Sequence, residues 1–125
     1  MIDRKVGAKV LFVEDEEAIL KVAKRHLARL GFEVTATTQP SEALNLLNNE
    51  RYDVVVSDVV MPGLDGPGLI KQARQTVPDL KVIFVSGYTD DRLRGTGMSQ
   101  AGQAFLRKPY TIPDLASLID KTIRD

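Results

Sequence analysis

The chain has 125 residues, 43% of them apolar and 27% charged, which suits one globular domain, residues 1–125, with a single core. Its 17 basic and 17 acidic side chains cancel, so no general attraction to nucleic acid or to an anionic membrane is expected. Without cysteine, disulfides and thiolate metal sites are excluded. Without a signal-peptide core or an apolar run near the roughly 20 residues of a membrane helix, the expected location is cytoplasmic.

Lys9-Val10-Leu11-Phe12-Val13 is a continuous apolar run of strand length, ending at Glu14-Asp15-Glu16-Glu17. From Ala18 the period becomes helical, with Ile19, Val22, Ala23, Leu27 and Leu30 expected on the inner face and Gly31 as a left-handed cap. Phe32 to Thr37 reads as a second strand. Pro40 opens a helix that turns Ala43, Leu44, Leu46 and Leu47 inward and frays at Asn48-Asn49. Asp53 to Ser57 is a third strand, carrying Val54-Val55-Val56, and the Pro- and Gly-punctuated loop Asp58 to Gly66 follows. Pro67 starts a helix bearing Leu69, Ile70, Ala73 and Val77. Val82 to Val85 is a fourth strand ending at Ser86-Gly87. Ala104-Phe105-Leu106 is a fifth, ending near Lys108-Pro109. Thr111 to Asp114 resembles a capping box before a helix lined by Leu115, Leu118, Ile119 and Ile123. Thr89 to Gln103 should hold a helix by alternation, but Gly95, Gly97 and Gly102 each cost about 1 kcal/mol there, so a short, irregular helix is expected.

Five strands alternating with helices predict an α/β fold: a flavodoxin-like, doubly wound, five-stranded parallel sheet in order 2-1-3-4-5, with helices on both faces. Ligands in such sheets bind beyond the carboxyl ends of the strands. Those ends deliver Glu14 and Asp15, Asp58, Ser86, and Lys108 to one rim. Clustered carboxylates repel, so one is protonated unless a cation enters. Oxygen ligands without His or Cys favour Mg²⁺, or Mn²⁺, over zinc. Asp15 and Asp58 are the expected direct ligands, with Glu14 acting through water. A lysine and a hydroxyl opposite a metal suit a phosphoryl group, so Asp58 is the expected nucleophile, with Lys108 and Ser86 neutralising the phosphoryl oxygens.

These residues resemble the receiver domains of two-component response regulators along essentially the whole chain. The resemblance rests on Val10 to Glu16, Ser57 to Gly66, Val85-Ser86-Gly87-Tyr88 and Phe105-Leu106-Arg107-Lys108-Pro109-Tyr110. The loop after Asp58, the Ser86 segment and the Lys-Pro segment are similar to receivers at the C-terminus of CckA-type hybrid histidine kinases. The resemblance implies a phosphoacceptor rather than an enzyme: Asp58 would take a phosphoryl group from the phosphohistidine of a kinase or phosphotransfer protein. It implies Mg²⁺ on Asp15, Asp58 and the Val60 carbonyl, with Glu14 through water, and a cis Lys108–Pro109 bond. It also implies a switch in which Ser86 moves to the phosphoryl group and Phe105 turns inward, altering a partner-binding face. A monomer is expected, with dimerisation on phosphorylation open, and no direct contact with nucleic acid or membrane. The chain departs from many members at Glu14, where they have Asp, and at Phe105, where they have Tyr.

Two other functions fit parts of the pattern. A phosphohydrolase using an aspartyl phosphate needs a second acid near the nucleophile, but Val59 and Val60 follow Asp58. A flavodoxin-like cofactor binder needs a phosphate-cradling loop after strand one, where this chain has four acids. Val60 and Tyr88 are expected to flank the approach of water to an acyl phosphate, making its hydrolysis slow. Asp65 reads as a turn former, and His26 as an exposed helix residue.

Overall fold

The computed structural model describes residues 7–61, 63–87 and 102–124. Five strands and four helices are present there: β1 (Lys9–Val13), α1 (Glu17–Arg29), β2 (Glu33–Thr37), α2 (Pro40–Asn49), β3 (Val54–Asp58), α3 (Gly66–Ala73), β4 (Val82–Ser86), β5 (Gln103–Arg107) and α4 (Ile112–Arg124). All neighbouring strands pair in parallel, in the order β2-β1-β3-β4-β5. The expected doubly wound sheet is therefore the observed one.

The two-residue period of a strand explains why both faces need cover. In β1, β3 and β4, alternate side chains enter two separate cores. Leu11, Val13, Val55, Val82 and Phe84 pack with Ala43 and Leu47 of α2 and Leu69, Ile70 and Ala73 of α3. Val10, Phe12, Val54, Val56, Ile83 and Val85 pack with Leu20, Ala23 and Leu27 of α1 and Leu115, Ala116 and Ile119 of α4. Each such fully buried Val, Leu, Ile or Phe contributes about 1.5–3 kcal/mol through the hydrophobic effect. The edge strands β2 and β5 are only partly covered, and their sequences are correspondingly mixed. At the end of α1, Gly31 has φ +99° and donates to the Ala28 carbonyl at 3.0 Å, the left-handed ending expected of it.

Several boundaries and faces differ from expectation. On α1 the buried residues are Leu20, Ala23 and Leu27, whereas Val22 is 51% and Leu30 40% exposed. The apolar stripe of α1 is wider than the strip it presents to the sheet, so periodicity alone did not fix its centre. Asn48 and Asn49 stay helical, and the Asn49 amide donates to the Asn45 carbonyl at 2.7 Å. Val77 lies beyond the end of α3, in the turn where Leu80 N–H donates to its carbonyl at 3.1 Å. The buried face of α4 also takes in Asp120 and Thr122, the latter donating to the Leu118 carbonyl at 2.7 Å. Asp58 is the last residue of β3 rather than the first of the loop, and Gln103 opens β5. The helix expected within Thr89 to Gln103 falls, up to residue 101, outside the described residues, as does Tyr88.

Candidate phosphoacceptor site

Strand register brings the candidate residues to one level. Val13 pairs with Ser57, Asp58 with Val85, and Ser86 with Arg107. Single hydrogen bonds carry the ladder one step past the strands: Glu14 N–H to the Thr37 carbonyl at 3.2 Å, Val59 N–H to the Val85 carbonyl at 2.9 Å, and Lys108 N–H to the Ser86 carbonyl at 2.7 Å. The rim backbone is thus part of the sheet rather than free loop. Five of the six expected residues stand on it or one step beyond: Glu14, Asp15, Asp58, Ser86 and Lys108. Val60 follows Asp58 by two residues and is 45% exposed.

Carboxylate oxygens of Glu14, Asp15 and Asp58 lie within 4.8 Å of one another. Glu14 is buried, Asp58 is at the edge of burial, and Asp15 is exposed, so the cluster opens to solvent on the Asp15 side. Lys108 reaches into it from β5. Its Nζ donates to Glu14 Oε1 and to Asp58 Oδ2, each at 3.3 Å. Ser86 is buried at the end of β4. The Lys108–Pro109 peptide bond is cis, as the resemblance implied.

Among the described residues, the electrostatics follow from three acids facing one ammonium. Burial pushes the Glu14 carboxyl up to about 7, aided by its hydrogen bond with Asp15 and the charge of Asp58. The Glu16 N–H, which donates to Glu14 Oε2 at 3.3 Å, and Lys108 oppose this without cancelling it. For Lys108, burial acts to lower the pKa, but the Asp58 and Glu14 carboxylates outweigh it and hold the ammonium above its ordinary value. The Tyr110 hydroxyl is raised by burial and by the nearby Glu14 charge. Burial thus makes the Glu14 carboxyl harder to ionise.

Such a site suits a divalent cation. Its donors are all oxygen, they converge, and among the described residues the three acids outnumber the Lys108 ammonium that reaches them, which leaves an excess of negative charge. A dication would balance it, and oxygen donors suit a hard ion. Tyr110, which the Lys-Pro motif includes, is half-buried beside the cluster. One feature escaped the sequence reading. An apolar groove of about 780 Å³ runs from Lys108 between α1 and the segment after β5, lined by Ile19, Val22, Pro109, Tyr110 and Ile112. Val22, whose exposure periodicity did not reveal, is part of its lining.

Comparison with known proteins agrees with this geometry. The sequence profile described as the response regulator receiver domain matches residues 10–120. The chain is 40% identical over 119 residues to the sensor kinase CckA of Brucella abortus, covering 94% of this chain and 13% of that protein. It is 33% identical over 123 residues to the probable transcriptional regulator ycf27 of Guillardia theta, covering 98% of this chain and 48% of that one. The chain thus spans less than half the length of these curated relatives. Among solved structures, the receiver domain of the hybrid histidine kinase CckA superposes with TM-score 0.78 at 36% identity, over 93% of this chain and 99% of that one. The Francisella response regulator 1452 receiver domain does so with TM-score 0.83 at 30% identity, over 94% and 98% respectively.

Proposed function

The chain belongs to the response regulator receiver domains of two-component signalling, and from that premise we propose that Asp58 is the acceptor of a phosphoryl group delivered by a phosphohistidine in a Mg²⁺-dependent transfer. Domains of this family are regulatory phosphoacceptors that bind Mg²⁺ at an acidic pocket and work with histidine kinases or phosphotransfer proteins. One observation carries the assignment to Asp58. Its carboxylate lies at a strand end within a three-acid cluster, and Lys108 bridges it to Glu14.

In this reading Asp15, Asp58 and the Val60 carbonyl hold the ion, with Glu14 acting through water. When bound, the ion supplies positive charge to the phosphoryl oxygens and relieves the repulsion among the acids. An Asp58 carboxylate oxygen attacks phosphorus, the P–N bond of the phosphohistidine breaks, and its electron pair returns to the imidazole nitrogen. An acyl phosphate on Asp58 results. Lys108, already within reach of Asp58, follows the charge onto the phosphoryl group. Ser86 offers a hydroxyl from the adjacent strand, and its movement, with that of Phe105, alters a partner-binding face. The groove beside Lys108 is where the phosphodonor seats, since it is apolar and is lined at one end by the lysine that reaches Asp58. Whole-protein output belongs to the longer proteins that carry such domains.

The rival hydrolase reading lacks an acid two residues after the acceptor: Val60, 45% exposed there, offers an isopropyl group where a water-activating group would stand. The proposal is tested by incubating the chain with a small phosphodonor such as acetyl phosphate. Label should appear with Mg²⁺, vanish with a chelator, and be absent from Asp58→Asn, whose circular dichroism stays unchanged. Equal labelling of Asp58→Asn would reject Asp58 as acceptor.

A further inference from the structure

The helix α3 opens on Gly66, although a glycine within a helix costs about 1 kcal/mol relative to alanine. Conformation does not demand it, because Gly66 is not among the glycines with positive φ. Space does. A Cβ on Gly66 would lie 2.4 Å from the Asp58 carbonyl oxygen, 3.2 Å from its carbonyl carbon and 3.2 Å from Ser57 Oγ. The first two are backbone atoms of a central strand and cannot rotate away. The neighbouring glycines differ in kind. A Cβ on Gly68 would press mainly on the Leu64 side chain, and Gly63 has open space but φ +82°.

The close approach is part of a small closed structure at the root of the loop. Gly66 N–H donates to the Val59 carbonyl at 2.9 Å, and Ser57 Oγ, fully buried, donates to the Asp58 carbonyl at 3.0 Å. Asp65 caps α3 by accepting from Gly68 N–H at 2.8 Å. The backbone of Asp58 and Val59 is therefore held from three directions: the sheet, the Ser57 hydroxyl and the first turn of α3. Val60, the next residue, belongs to the proposed metal shell.

We propose that Gly66 is a positioning residue for the acceptor site: its lack of a side chain lets the start of α3 seat on the Asp58 carbonyl and so fixes the 58–60 backbone that presents the metal ligands. This rests on the reading that Asp58 and the Val60 carbonyl hold the divalent ion. A methyl group at position 66 moves either α3 or the acceptor strand, and the ligands with it. Ser57 supports the same carbonyl through one hydrogen bond.

The test is Mn²⁺ affinity, read by electron paramagnetic resonance of the free ion titrated with the full chain, beside thermal unfolding of each variant. Gly66→Ala should weaken Mn²⁺ binding by about ten-fold or more, the scale seen when groups that orient metal ligands are lost. Leu47→Ala, buried in the core on the same sheet face, should unfold earlier yet keep wild-type affinity. Ser57→Ala, which removes a contact without crowding, should lose affinity to a smaller extent, and it carries the test if Gly66→Ala does not fold. Wild-type affinity in Gly66→Ala, or in Ser57→Ala where that is the variant tested, overturns this inference alone. So does a loss in Leu47→Ala as large as that in Gly66→Ala. A wild-type chain that binds no Mn²⁺ overturns the metal reading and this inference with it.

Discussion

Glu14→Gln isolates the electrostatic state of the cluster. The Glu14 carboxyl sits at about 7 in the folded chain, against 4.5 without its surroundings. Between these values the folded state holds a proton that the unfolded state has released. Stability without divalent ions therefore falls as pH rises through this window and levels off above about 7. At 1.36 kcal/mol per pKa unit, the difference corresponds to about 3 kcal/mol. Glu14 is 2% exposed, so solvent does little to reduce this figure. Glutamine has nearly the same shape and no titration. Urea unfolding of both proteins from pH 5 to 8.5 in a chelator gives the difference in stability, in which groups that do not interact with Glu14 cancel. That difference should swing toward the variant by roughly 2–3 kcal/mol between pH 5 and 8. Saturating Mg²⁺ should shrink the swing, because the ion stabilises the ionised form that is costly without it. A pH-independent difference would refute the account of the site as an uncompensated acid cluster.

Other expectations follow from single contacts. Leu27→Ala should cost roughly 2–5 kcal/mol and Val22→Ala less than about 0.5 kcal/mol in chemical denaturation, the reverse of equal burial along one helical stripe. Asp65→Ala removes the α3 cap and should lower stability by about 1 kcal/mol, or several degrees in Tm. The acyl phosphate should decay slowly in the wild type and faster in Val60→Asn, whose amide can hold a water where the isopropyl group cannot. Radiolabel loss over time measures both, and a fast wild type indifferent to the substitution would dismiss a shielding role for Val60.

The order and level of the strands were legible because each short apolar run stops at a polar residue, and the sheet topology then fixes which stops adjoin. Glu14, Asp15, Asp58, Ser86 and Lys108 came together on that argument. What stayed hidden depends on where elements press on one another. The apolar stripe of α1 is broad enough for either Leu20 or Val22 to face the sheet, and only packing against Phe12 and α4 decides. Asp120 and Thr122 are polar letters in buried places, which no hydrophobic period announces. Gly66 looked like turn chemistry after Asp65, yet its reason is the carbonyl of a residue eight positions earlier. Likewise, the raised pKa of Glu14 depends on its burial, which the run of four acids conceals.

The most direct measurement locates the phosphoryl group. After phosphorylation with Mg²⁺, reduction by borohydride converts an aspartyl phosphate to homoserine, and peptide mass spectrometry then finds the residue. The account predicts homoserine at position 58 and nowhere else in the acid cluster. Homoserine at Asp15, or a stable phosphate on Ser86 with Asp58 unmodified, would contradict it.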